Sequence, residues 1–170
     1  MKKYLKFAGL VACVLALVAF ILLMATHAVV ANGNSGTWVG GTAIIFGSGR
    51  AAVLGYEGDV NDVKVIWTAL LSWIFILVGM IIVLVAFVLS LLKIKVLEKF
   101  SGVLDLVVIG LFLAAGILTF FTALAYAGVN EVDAKDWVLG GGYVVAGILA
   151  ILAGLTAALP TAAAFMAKRK

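Results

Sequence analysis

Residues 65–92 read VIWTALLSWIFILVGMIIVLVAFVLSLL, an unbroken run without one charged side chain. An apolar run longer than about 18 residues signals a membrane span, because a helix rising about 1.5 Å per residue needs roughly 20 residues to cross a hydrocarbon core about 30 Å thick. Three more such runs flank this one: Phe7 to Ala31, Leu106 to Val129 and Val138 to Ala167. Composition agrees, with 66% apolar and 12% charged residues and a mean hydropathy of +1.29, where soluble domains have about 45–50% and about 25%. The expected fold is an all-α integral membrane protein, a four-helix antiparallel bundle forming one domain over residues 1–170. The spans exceed the core thickness, so they tilt or project from the bilayer.

Charge orients the bundle. Lys2, Lys3, Lys6, Lys93, Lys95, Lys99, Lys168, Arg169 and Lys170 stand on one side with Glu98 and Asp105. Arg50, Lys64 and Lys135 stand on the other with Glu57, Asp59, Asp62, Glu131, Asp133 and Asp136. The first side carries +7 and the second −3, together the +4 of the chain. Positive residues stay inside, so both termini and loop 93–105 are expected in the cytoplasm, with loops 32–64 and 130–137 outside. Trp67 and Trp137 fall near the outer ends of their spans, where amphipathic rings sit at headgroup level. The basic pI then reflects topology and an affinity for anionic lipid, not nucleic acid. The first apolar run is longer than a signal core of about 7–15 residues and reads as a retained span, and Cys13 reads as a packing residue.

Within loop 32–64, Thr42 to Phe46 and Ala51 to Tyr56 are rich in β-formers and flank Gly47-Ser48-Gly49-Arg50, which predicts a small outer β-hairpin. Two strands alone are marginal in water, so the hairpin needs support. Residues 93–100 read as helix-compatible, with Ser101 a cap for the third span. Small residues recur four apart in the fourth span (Gly142, Ala146, Ala150, Gly154, Ala158, Ala162), in the third (Ala115, Thr119, Ala123, Ala127) and in the first (Ala8, Ala12, Ala16). Ser72, Gly79 and Ala86 repeat at seven in the second. Such rows let backbones approach closely, either inside one bundle or, for the fourth span, against another subunit. Pro160 is expected to bend the fourth span.

Chemistry is sparse. The spans hold no deep ionisable group of the kind that marks ion paths; Asp105 lies near one edge and His27 near the other. The hydroxyls of Thr68, Ser72, Thr119, Thr122 and Thr156 can bond within or between helices. One His and one Cys at opposite ends of a span supply neither a nucleophile with its base nor a metal cluster. Gly140 to Gly142 lacks the Lys and Ser or Thr of a phosphate loop and reads as close packing. Glu57, Asp59 and Asp62 resemble the start of a calcium loop without its glycine and distant glutamate, and stand as weak metal candidates beside the plainer reading of a solvated turn capping the second span. No cofactor is expected.

Four spans, both ends inside, a longer first outer loop with β-strands and a short second one are similar to the architecture of claudins and related tetraspan proteins. The claudin signature places a tryptophan, a Gly-Leu-Trp and two cysteines in the first outer loop. Here Trp38 precedes Val39-Gly40-Gly41 and the loop has no cysteine. The likeness is one of topology alone, and no residue role is carried over. The expectation is a non-enzymatic structural or scaffold protein of a bacterial cell membrane, acting as a homo-oligomer or as a small subunit of a larger complex. Ile44, Phe46, Val53 and Tyr56 would stabilise the contact outside, and the row from Gly142 in lipid. The alternative is a channel, small transporter or transport accessory formed on oligomerisation; a membrane enzyme ranks third.

Overall fold

The computed structural model describes residues 2–91 and 101–168, so the expectations for residues 92–100 and for Arg169 and Lys170 lie outside it. The chain runs α1 (Lys2–Ala25), β1 (His27–Ala31), β2 (Asn34–Gly40), α2 (Gly41–Phe46), β3 (Gly49–Val53), β4 (Tyr56–Val60), α3 (Trp67–Leu91), α4 (Ser101–Phe120), α5 (Thr122–Asn130), β5 (Trp137–Leu139) and α6 (Gly141–Lys168). Helices α1, α3, α4 and α6 are long and apolar enough to cross a membrane, as expected for a multi-pass membrane protein.

These four helices form a closed ring in which α1 packs on α3, α3 on α4, α4 on α6 and α6 back on α1. Contacts run in opposite residue order on facing helices, so neighbours are antiparallel: Ser72 meets Thr119 while Gly79 meets Phe112, and Gly147 meets Phe120 while Gly154 meets Leu113. Inside the ring sit many small side chains, with Ala12, Ala16, Ala19, Ala115, Ala146, Ala150 and Ala153 wholly buried, beside the larger Leu23, Ile76, Phe112 and Tyr143. Outside it sit Phe7, Val14, Ile21, Ile81, Val85, Leu106, Ile117, Leu152 and Leu155. Lipid tails are as apolar as these side chains, so helices gain by close backbone packing and leave the large groups to lipid.

A five-stranded sheet, ordered β4-β3-β2-β1-β5 and antiparallel throughout, caps the end of the bundle opposite the termini. It corrects the expected two-stranded hairpin in three ways. The first span stops at Ala25, where Thr26 turns its hydroxyl onto Leu22 O (2.7 Å), and residues 27–31 become the strand β1 between β2 and β5. The fourth span starts at Gly141, its first expected residues forming β5 instead. Residues 42–46 are helix: Ala43, Ile44 and Ile45 are buried in succession, which a pleated strand with alternating faces would not do. Gly47, at φ 80°, closes that turn by donating its N–H to Ala43 O at 2.9 Å.

The third span is divided. Phe121 leaves helical register between α4 and α5, at a place where Thr119 and Thr122 turn their hydroxyls back onto Ala115 O (2.8 Å) and Leu118 O (3.4 Å). Such bonding back onto the preceding turn bends helices. Pro160 lies within the unbroken α6.

Candidate association surface

The row of small residues on α6 is used inside this chain. A side chain at Gly142 would collide with Thr26, Ala146 and Ala150 are wholly buried, and Gly154 faces Leu113 and the Ile109 carbonyl of α4. Ala158 is half-buried. At these positions the row packs within the bundle, one of the two uses expected of it. Ile44, also expected at the contact, is wholly buried under the sheet.

Gly140 packs against the His27 carbonyl and Gly41 against that of Leu23, closer than any Cβ could come, so these glycines seat the sheet on the helix ends. Phe46 remains half-exposed and lies edge-on to Trp73 (5.2 Å, 83°), which itself stacks on Phe20 (5.4 Å). His27 is exposed and lies flat on Trp38 at 3.8 Å. The buried serine and threonine hydroxyls link α3 to α4 and α5. Ser72 Oγ donates to Ala115 O (2.6 Å) and lies 3.0 Å from Thr119 Oγ1, and Thr68 Oγ1 donates to Thr122 Oγ1 (3.4 Å). Thr156 bonds to Leu152 O of its own helix, and Thr161 donates to Asp105 at 3.2 Å, tying α6 to α4.

The hairpin β3–β4 forms one side of the sheet, with β3 paired to β2 and β4 at the edge. Its base rests on α2, where Gly49 lies against Thr42 and Ala43, and its five-residue strands carry the tip about 16 Å beyond that base. The tip turns through Leu54 (φ 53°) and Gly55 (φ 86°), the two positive angles of a two-residue turn whose twist matches the strands. Val53, Leu54 and Tyr56 there are 63%, 70% and 85% exposed. The tip is nonetheless fixed: Gly55 N donates to Gly36 O (2.7 Å) and Leu54 N to Thr37 Oγ1 (3.0 Å). An apolar, preordered tip loses little freedom on contact, which is what a binding element needs.

The acidic residues do not gather. Arg50 holds Glu57 in an exposed pair (2.8 Å), Asp59 sits across the ladder from Arg50, and Asp62, at φ 62°, stands five residues ahead of α3 and does not cap it. Among the described residues no group of three His, Cys, Asp or Glu side chains is placed to hold a metal ion. The hairpin's true turn at residues 54–55 was the part sequence reading missed; the Leu-Gly pair is a weak signal beside the Asn-Gly that such turns favour. No protein-family model matches this chain, and no curated protein matches it in sequence.

Proposed function

We propose that this chain is a non-enzymatic membrane protein whose work is association, as a structural or scaffold subunit that self-assembles or joins a larger membrane complex, with both termini in the cytoplasm and the sheet outside. The observation that carries this reading is Leu54. A bulky residue in the left-handed region costs about 1 kcal/mol, and Asn or Gly would sit there without strain. The chain instead holds a leucine there, 70% exposed at the summit of a pinned hairpin and flanked by Val53 and Tyr56. Strain kept at an exposed apolar position supports a role in contact.

Site-specific photocrosslinking in native membranes tests the proposal. A photoreactive residue at Leu54 is expected to give discrete adducts of defined mass, while one at Val14, on the lipid-facing side of α1, gives none. Absence of adducts from Leu54, Val53 and Tyr56 alike would remove the hairpin from any contact.

A further inference from the structure

Building on the association reading, we infer that the free edge of β4 is the docking site for an extended, cationic segment of a different polypeptide. That segment carries Lys or Arg at two positions two apart, with an apolar residue between them.

Strand β4 pairs with β3 alone and is an edge of the sheet. The two-residue turn makes Val53 and Tyr56 a closely bonded pair. Down the ladder Ala52–Glu57 is then a wide pair, Ala51–Gly58 a bonded pair and Arg50–Asp59 a wide pair. The N–H and C=O groups of Glu57 and Asp59 therefore point away from β3, and among the described residues nothing claims them. A strand adding at this edge sets one residue directly opposite Glu57 and another, two positions away, opposite Asp59. Directly opposed side chains share a face, so opposite charges there attract and like charges repel. The residue between falls on the other face, beside Tyr56 and Val60.

Charge selects the occupant. The sheet end carries six acidic residues against Arg50, Lys64 and Lys135. Arg50 bridges to Glu57 in an exposed pair, which leaves this edge with two carboxylates against one guanidinium, and Lys64 donates to the Val129 carbonyl (2.9 Å). Asp59 faces Arg50 in register without an ion pair within 4.0 Å. A second copy is the wrong partner for this edge: antiparallel β4–β4 pairing centred on Gly58 sets Glu57 of each chain opposite Asp59 of the other. The opposite edge, β5, is only three residues long.

The test uses the full chain in nanodiscs of zwitterionic lipid and three labelled nine-residue peptides. One alternates Lys and Val, one alternates Glu and Val, and the third is the Lys–Val peptide N-methylated on the amides that would face the edge. Fluorescence anisotropy is expected to show binding of the Lys–Val peptide, at least about tenfold weaker binding of its methylated form, since edge hydrogen bonds are lost at constant charge, and none of the Glu–Val peptide. Glu57→Lys with Asp59→Lys should reverse the preference, and amide exchange over residues 56–60 should slow when the Lys–Val peptide binds. Equal binding of the methylated peptide would reduce the effect to bulk charge and overturn the inference, as would no binding at all. Ready disulfide formation between two chains carrying Gly58→Cys would assign the edge to a second copy. If the peptides fail while crosslinks from Leu54 persist, the edge assignment falls and the association reading stands; if the Leu54 crosslinks are also missing, both fall.

Discussion

The glycines differ in how tightly the bundle holds single positions. A Cβ at Gly116 would come within 2.8 Å of the Gly147 carbonyl, which as backbone cannot give way, and 2.6 Å of the Ile151 side chain, whereas at Gly110 nothing lies within 4 Å. Gly116→Ala is therefore expected to destabilise the protein by about 1–3 kcal/mol through overpacking. Gly110→Ala should be neutral or stabilising by up to about 1 kcal/mol through helix propensity. Thermal unfolding in one mild detergent compares the two directly. Tyr143 offers the opposite case: its ring is wholly buried and its hydroxyl has no hydrogen-bond partner. An unpaired buried hydroxyl is a burden of about 1–3 kcal/mol, so Tyr143→Phe should hold or raise the melting temperature. A clear loss of stability would mean that the hydroxyl is satisfied in the membrane.

Among the elements, the polar seam between α3 and α4 is the most testable. Ser72, Thr119 and the Ala115 carbonyl share bonds of 2.6–3.0 Å in the bundle interior. A double-mutant cycle of Ser72→Ala and Thr119→Val is expected to give a coupling of about 0.6 kcal/mol, and below about 1.7, because the unfolded chain in lipid also finds partners for these groups. The same elements show what the sequence made legible. Long uncharged runs locate α1, α3, α4 and α6, since lipid demands continuous apolar helix. Short apolar pieces were opaque: His27 to Ala31 and Trp137 to Leu139 continue apolar runs, and their strand form depends on β1 pairing with β2 and, across more than 100 residues of chain, with β5. Periodicity cannot separate a buried strand from a helix end. Likewise Ile44 and Ile45 favour strands in isolation, but burial on three successive positions outweighs that preference. The α6 row announced close packing correctly, while its partner, α1 and α4 of the same chain, was not readable from spacing.

For the whole molecule, a core rich in small residues, large apolar residues on the outer faces and an acidic sheet at one end describe a bundle suited to lipid with a polar cap. In the proposed orientation, Ser48→Cys should react with an impermeant thiol reagent on intact cells and Lys95→Cys should not until the membrane is opened; the reverse pattern would invert the protein. The central claim, that the hairpin summit exists for contact, is tested most directly by Leu54→Asn, which relieves the backbone and removes the apolar side chain together. Mass photometry with electron-microscope imaging in nanodiscs, run beside a melting curve, reads both effects. The account predicts that the unaltered protein forms a defined complex, and that Leu54→Asn falls back to single chains with an equal or higher melting temperature. A lone chain in both samples, or an unchanged assembly after the substitution, would contradict it.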